Sequence, residues 1–408
     1  TASLMNSSII HRHVASYTHL LNYTTGRVTS WHPKQAAYLL ENWHRTEIDI
    51  SADFREIFIN AGQINSRLFR PNLLSLGMKF GFPTIVNIEL DRKCSLRCRH
   101  CYIGNEDLAG KNLGFLAQYT PSQIDDLLET LHQLGVFLIV ITGGEPFLQP
   151  NCRVFLEKAA AAGFVTEIFS NLQYLPKWFE ESSPTELKIA RIQTSVYSAR
   201  AKTHDIVTKR KGSWQRTMKH LLELKEHGYY VEAATPLMRV NYPDRNETEV
   251  YFKGLDINQS FAWPILNEYY AEKTGKASLN ITTAELTVFL RERPDFLIRT
   301  DFSETDTSPV CSAGKALFSI AGDGSVFSCS QFPYAVGHLQ QNSVIEIYNG
   351  DLMQGIRHLT NADVAKSGTE AAYNFCIGNN FSETGEVLNQ PAFLRNAAQA
   401  VISPKGGE

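Results

Sequence analysis

The chain has little that would tie it to a membrane or a nucleic acid. No apolar stretch approaches the roughly 18 residues a membrane helix needs, and residues 1–20 lack the apolar core of a signal peptide, so a cytoplasmic protein is expected. No run of five like charges occurs, and Lys+Arg 39 against Asp+Glu 42 leaves a net charge of −3, which argues against electrostatically driven nucleic-acid binding. There is no internal repeat and no low-complexity tract. Cysteine is scarce, seven in 408 residues, an odd number that does not read as a disulfide framework. Hydrophobic residues at 43% and charged residues at 20% suit a soluble globular chain of about two to three domains.

Four regions follow from pattern. Residues 1–82 are mildly basic and predict a small α+β domain. Its parts are two short strands, Tyr17–Tyr23 and Arg27–Trp31, joined at Thr24-Thr25-Gly26, then a helix over Pro33–Trp43 and another around Asp53–Ser66. From Pro83 to Leu266, strand and helix alternate. Strands are expected at Thr84–Leu90, Val136–Ile141, Val165–Phe169, Ala190–Val196, Tyr229–Thr235 and Ser260–Ile265. Helices are expected near 121–134, 152–162, 174–181, 213–227 and 246–255. Six strands with crossover helices predict an α/β fold with a parallel sheet or partial barrel, whose ligands sit at the carboxyl ends of the strands. Residues 267–310 read as a helix and polar linker. Residues 311–408 hold a second hairpin signal at Gly322-Asp323-Gly324, between Ala316–Ile320 and Ser325–Cys329.

Three of the seven cysteines fall within the eight residues Cys94-Ser-Leu-Arg-Cys98-Arg-His-Cys101, directly after the first strand of the alternating region. A loop there presents three thiolates to one point. A structural zinc site wants four protein ligands, whereas a cubane [4Fe–4S] cluster held by three cysteines leaves one iron open to a reactant. At the next strand end stands Gly143-Gly144-Glu145-Pro146, where glycine permits close backbone approach and a carboxylate suits an ammonium partner. Ser170-Asn171 ends the third strand and Gln193-Thr-Ser195 the fourth. Asn after a strand is commonly a turn former, so their value lies in falling at successive strand ends.

This arrangement resembles the radical S-adenosylmethionine (SAM) superfamily, with its CxxxCxxC loop and GGEP motif. The resemblance implies a partial (β/α)6 TIM-like barrel in which Cys94, Cys98 and Cys101 hold a [4Fe–4S] cluster. It also implies that Tyr102, Gly143, Gly144, Glu145, Ser170, Asn171, Gln193 and Ser195 lie at the SAM site. The segment from Ser195 through His204-Asp205 to Gly212-Ser213-Trp214 is similar to peptide-modifying members, although Ser198 replaces their usual glycine. Its basic triplet Lys209-Arg210-Lys211 reads as a solvated loop, with a cation for the SAM carboxylate as the other option. Further on, Cys311, Gly324-Ser-Val-Phe-Ser-Cys329 and Phe375-Cys376 resemble the auxiliary-cluster domain called SPASM, or its shorter form called twitch. Cys311, Cys329 and Cys376 are fewer cysteines than a full SPASM domain carries, so one auxiliary Fe–S cluster is expected. Cys152, at a helix start, is expected to be an inert buried thiol.

The implied activity is reductive cleavage of SAM to a 5′-deoxyadenosyl radical, which abstracts hydrogen from a residue of a ribosomally made precursor peptide. The product would be an oxidative crosslink, an epimer or a desaturated residue. The implied partners are that peptide, with its leader at the N-terminal domain, and an electron donor such as flavodoxin or ferredoxin. The competing expectation is a radical SAM dehydrogenase or maturase acting on a small molecule or a folded protein. No catalytic acid, base or hydrogen donor is assigned.

Overall fold

The computed structural model describes residues 9–14, 16–42, 66–103, 114–262 and 279–402. At the N-terminus, β1 (Ile9–Val14), β2 (Tyr17–Asn22) and β3 (Val28–Trp31) form an antiparallel sheet in the order β1-β2-β3. The predicted hairpin is its second half. The helix predicted after it spans Pro33–Asn42, and the one predicted at Asp53–Ser66 lies outside the described residues.

The alternating region forms six parallel strands, β4 (Ile85–Glu89), β5 (Leu138–Thr142), β6 (Val165–Phe169), β7 (Ile189–Ser195), β8 (Val231–Pro236) and β9 (Asn258–Ala262). Neighbours pair in sequence order. Strands such as Leu138-Ile-Val-Ile are apolar on both faces because both faces are covered, as parallel sheets require. The outer face, with Val86, Ile88, Ile139, Ile141 and Ile168, meets Leu127, Leu131, Phe155 and Leu221 of the crossover helices.

The inner face, with Ile85, Leu138, Val140 and Val165, meets Phe69, Leu73 and Leu76 of a helix over Ser66–Phe80. That helix closes the amino end of the barrel, and each of the three side chains contributes about 2 kcal/mol by burial. Charge reinforces the plug. Arg191 on β7 bridges Glu167 on β6 (2.6 Å) and Glu232 on β8 (2.7 Å), while Arg70 and Arg67 of the helix reach the same carboxylates at 2.7 and 2.5 Å. Both carboxylates are nearly fully buried and each holds two cations, so losing Arg191, the one they share, would weaken the pairing of both desolvated charges at once. Below the plug, Arg12 of β1 is itself buried and donates to Val136 O (2.7 Å) and Gly163 O (3.0 Å), fastening the N-terminal sheet to the barrel.

After the short β10 (Arg299–Asp301), the chain returns to the barrel. The predicted hairpin forms as β11 (Leu317–Ile320) and β12 (Ser325–Phe327), followed by β13 (Ala335–His338), and β10 pairs separately with β14 (Ala371–Tyr373). Residues 311–408 do not stand apart from the sheet. β11 pairs in parallel with β4, giving a nine-stranded sheet in the order β13-β12-β11-β4-β5-β6-β7-β8-β9. No helix among the described residues is long and apolar enough to cross a membrane.

Candidate active site

The loop after β4 carries Cys94, Cys98 and Cys101, all half-buried and unbridged. Asn171 donates its side-chain amide to Cys94 Sγ at 3.3 Å, Leu96 donates its backbone N–H at 3.4 Å, and the Tyr197 hydroxyl reaches Cys98 Sγ at 3.7 Å. Burial pushes the Cys94 thiol up to about 11 and the Cys98 thiol up to about 12, and the cysteines repel one another's charge. Such thiols ionise only when a cation compensates them, as bound iron does.

Three thiolates are one short of a closed zinc site and suit a cubane cluster with one iron left open. Among the described residues, no three His, Cys, Asp or Glu converge tightly enough for a single metal. Within the same loop, Ser95 Oγ and His100 Nδ1 are buried without a hydrogen-bond partner. Unpaired polar atoms lining a thiol loop are what a loop wrapped around an acceptor-rich group leaves when that group is not counted.

Gly143 and Gly144, at the end of β5, act first on this loop. Gly143 has φ +122°, and a Cβ there would stand 2.2 Å from Asp91 O. A Cβ on Gly144 would stand 2.3 Å from the carbonyls of Arg92 and Lys93. The bare backbone lets Gly144 N donate to Asp91 O and Glu145 N to Lys93 O, both at 2.9 Å. The close approach expected toward a ligand is thus made to the cysteine loop itself.

Glu145 is fully buried and accepts from Ser170 Oγ (2.7 Å), Asn171 N (2.8 Å) and Phe147 N (3.2 Å). Burial raises its carboxyl to about 7 against those three donors. Where the sequence suggests an ammonium partner, the structure has Glu145 tying the end of β5 to the end of β6. Asn171 then connects that tie to Cys94. Gln193 takes Ser170 N on its carbonyl at 3.0 Å, and Ser195 hydrogen-bonds Tyr197. Tyr102 sits at the rim, 56% exposed, its hydroxyl donating to Glu89 Oε1 at 2.6 Å. The residues expected at the SAM site therefore gather at four successive strand ends.

Several participants escaped the sequence. Glu89, at the end of β4, also accepts Gly322 N at 3.0 Å, and Arg92 reaches Asp323 at 3.0 Å, so the β11–β12 turn rests on the cysteine loop. Tyr197 stacks edge-on to His100 and tilts against His204, both at 5.2 Å. Burial lowers both imidazoles to about 4, so they are neutral. The His204-Asp205 pair divides its work. His204 accepts Tyr197 N on Nδ1 (3.3 Å), while Asp205 accepts Gly212 N (2.6 Å), Ser213 Oγ (2.8 Å) and Trp214 N (3.0 Å), capping the helix Ser213–Glu226. Asp205→Ala is expected to destabilise the protein by about 1–2 kcal/mol in denaturant titration while the folded enzyme keeps its cluster. Unchanged stability would remove the capping role.

The second cysteine set also gathers. Cys311, Cys329 after β12 and Cys376 at the start of the helix Ile377–Thr384 are half-buried and electrostatically coupled. Burial raises Cys311 to about 11 and Cys329 to about 12. Cys311 and Cys329 pack beside Phe332 and Ile377, and Cys376 Sγ donates to Gln331 Oε1 at 3.3 Å. Cys152 is fully buried in the core of the barrel wall.

Residues 88–250 match the radical SAM superfamily, and residues 311–378 match the iron–sulfur cluster-binding domain SPASM. The antilisterial bacteriocin subtilosin biosynthesis protein AlbA of Bacillus subtilis is 24% identical over 299 residues, covering 71% of this chain but 65% of AlbA, short of two thirds of its length. GTP 3′,8-cyclase of Aquifex aeolicus is 24% identical over 268 residues, 60% of this chain and 81% of that protein. Among solved structures, Streptococcus suis SuiB bound to the precursor peptide SuiA superposes with a TM-score of 0.63 at 17% identity, over 95% of this chain and 99% of SuiB. At that identity the likeness is one of fold.

Proposed function

We propose that this chain, whose residues 88–250 match the radical SAM superfamily and whose residues 311–378 match the SPASM domain, is a maturase that abstracts hydrogen from a residue of a ribosomally made precursor peptide. The bound [4Fe–4S] cluster and SAM supply the chemistry, one-electron cleavage of the sulfonium to a 5′-deoxyadenosyl radical. The protein's own residues place these groups. Cys94, Cys98 and Cys101 hold the cluster, and the Gly143-Gly144 backbone, Asn171, Gln193, Ser195 and Tyr102 line the SAM pocket. Glu145 acts indirectly, by fixing Ser170 and Asn171. Cys311, Cys329 and Cys376 hold one auxiliary cluster. Each SAM cleavage takes up one electron, which a carrier of the flavodoxin or ferredoxin type would deliver, and a product lighter by two hydrogens gives one electron back when the substrate radical is oxidised.

One observation carries the peptide reading. Among the described residues β3 is an edge strand of its sheet, and between it and the helix Ser66–Phe80 runs a groove of about 750 Å³ lined by Tyr17, Thr29, Ser30, Asn72, Leu76 and Phe80. An extended leader peptide would add to β3 as a fourth strand, its main chain giving affinity and alternate side chains seating on Leu76 and the Tyr17–Phe80 pair, whose rings are 5.3 Å apart. The names of two relatives agree with this, a bacteriocin biosynthesis protein and an enzyme crystallised with its precursor peptide. A small-molecule or folded-protein substrate gives the groove no role.

The deciding experiment is anaerobic incubation of the reconstituted, reduced enzyme with SAM and the short peptide encoded beside its gene, followed by mass spectrometry. Loss of two hydrogens, or an unchanged mass in ordinary water with one deuterium taken up in heavy water, supports the maturase. An unmodified peptide alongside steady 5′-deoxyadenosine formation overturns it. Tyr17→Ser with Phe80→Ser is expected to weaken peptide binding by about 30-fold in fluorescence anisotropy, with SAM cleavage in the absence of peptide unchanged.

A further inference from the structure

The basic triplet Lys209-Arg210-Lys211 has no part in the SAM site described above, yet the fold sets it against the cysteine loop. Arg97 N donates to Thr208 O at 3.3 Å, Arg99 N to Val207 O at 2.9 Å, and Arg210 Nη1 to Ser95 O at 2.9 Å. The loop is therefore laid along the end of the helix Ala201–Thr208. Lys202 and Ile206 share one side of that helix by their i, i+4 spacing, and Lys209 follows at its C-terminal end. Both lysines are exposed, and Ile206, 43% exposed, stands between them. Arg99 and Lys211 are exposed beside them. The acidic residue of this segment, Asp205, has its carboxylate turned into the helix N-terminus by the three hydrogen bonds already described. The result is an apolar centre rimmed by cations, over a loop whose cysteines are only half-buried.

Electron transfer weakens steeply with distance, so a donor must dock where the protein shell over the cluster is thin. We propose that the face formed by Arg99, Lys202, Ile206, Lys209 and Lys211 docks an acidic one-electron carrier protein. This rests on the radical SAM reading above. In the step it serves, the reduced carrier loses one electron and the cluster in the Cys94–Cys101 loop gains it; no bond or proton moves between the two proteins. Opposite charge steers the encounter, and the apolar centre gives the complex its short-range contact.

The test uses the full-length reconstituted enzyme and the combined variant Lys202→Glu, Lys209→Asn, Lys211→Glu. Asn is chosen at 209 because that residue has φ +55°, a conformation Asn tolerates. The readouts are the affinity of labelled flavodoxin for the enzyme by fluorescence anisotropy, expected to fall in the variant, and the 5′-deoxyadenosine formed with chemical dithionite or with enzymatically reduced flavodoxin, both at low and high salt. The variant is expected to match the parent with dithionite and to fall about tenfold or more with flavodoxin at low salt, while the parent's flavodoxin rate declines as salt rises. An unaltered flavodoxin rate in the variant overturns the proposal. So does an equal loss with both reductants that the charge-keeping variant Lys202→Arg, Lys209→Arg, Lys211→Arg repairs, since the cations would then serve the cluster itself. A parent enzyme that forms no 5′-deoxyadenosine even with dithionite sinks the radical SAM activity, a separate failure.

Discussion

Cys94→Ala, Cys98→Ala and Cys101→Ala are each expected to abolish 5′-deoxyadenosine formation and to lower the iron content of the anaerobically reconstituted protein by about four atoms per chain. The reason is ligand number. Three thiolates are the minimum that leaves one iron open, and the loop supplies no fourth, so each substitution removes a third of the protein ligation. Asn171 and Leu96 donate to the sulfur of Cys94 and Tyr197 reaches that of Cys98; without the sulfur these donors point at nothing. Cys152→Ala is the control. Its thiol is buried away from solvent in the barrel wall, so iron content and SAM cleavage should stay at parental levels. Retention of SAM cleavage in any of the three loop variants, or its loss in Cys152→Ala, would overturn the assignment of the cluster to this loop.

Gly143→Ala is expected to have the second largest effect, reaching the cluster loop without touching a cysteine. The new Cβ would meet Asp91 O at 2.2 Å, and the residue would keep φ +122°, where a side chain is strained. Overpacking against backbone and strain together cost about 2–5 kcal/mol. The cheapest relief is to push residues 91–93 outward, which drags Cys94 from its place. Lower denaturant midpoints together with reduced iron loading are therefore expected. Gly254→Ala is the comparison: it closes the helix Arg245–Gly254 with nothing within 4 Å of its added carbon, and should be neutral or slightly stabilising. If Gly143→Ala loads iron like the parent, the loop does not depend on this close approach.

Much of the barrel was legible because its signals are short-range. The helix Pro121–Leu134 carries a capping box, Thr120 with Gln123, after which its apolar residues recur at helical spacing. β6 appears with its predicted bounds. The plug helix Ser66–Phe80 was not legible. Its interior Pro71 argues against a helix, and its arginines look solvent-seeking until Glu167 and Glu232, contributed by β6 and β8, are placed beneath them. The helix Ala201–Thr208 was hidden by its shortness, and Asp205 read as half of a functional motif although its oxygens cap the next helix.

By itself the sequence determined the chemistry: which thiols lie close together, that they follow a strand, and that strand and helix alternate around them. Those features depend on residues a few positions apart, where side-chain spacing and backbone propensity act directly. Tertiary structure decided who supports that chemistry. The pairing of β11 with β4 brought Gly322 to Glu89 across 233 residues of sequence, the fold turned Glu145 onto Ser170 and Asn171, and the order of the N-terminal sheet left β3 beside a groove. Each joins groups that local pattern does not connect. Hydrogen bonds and ion pairs between distant segments form only after apolar faces have chosen their partners, and that choice is made by the whole chain.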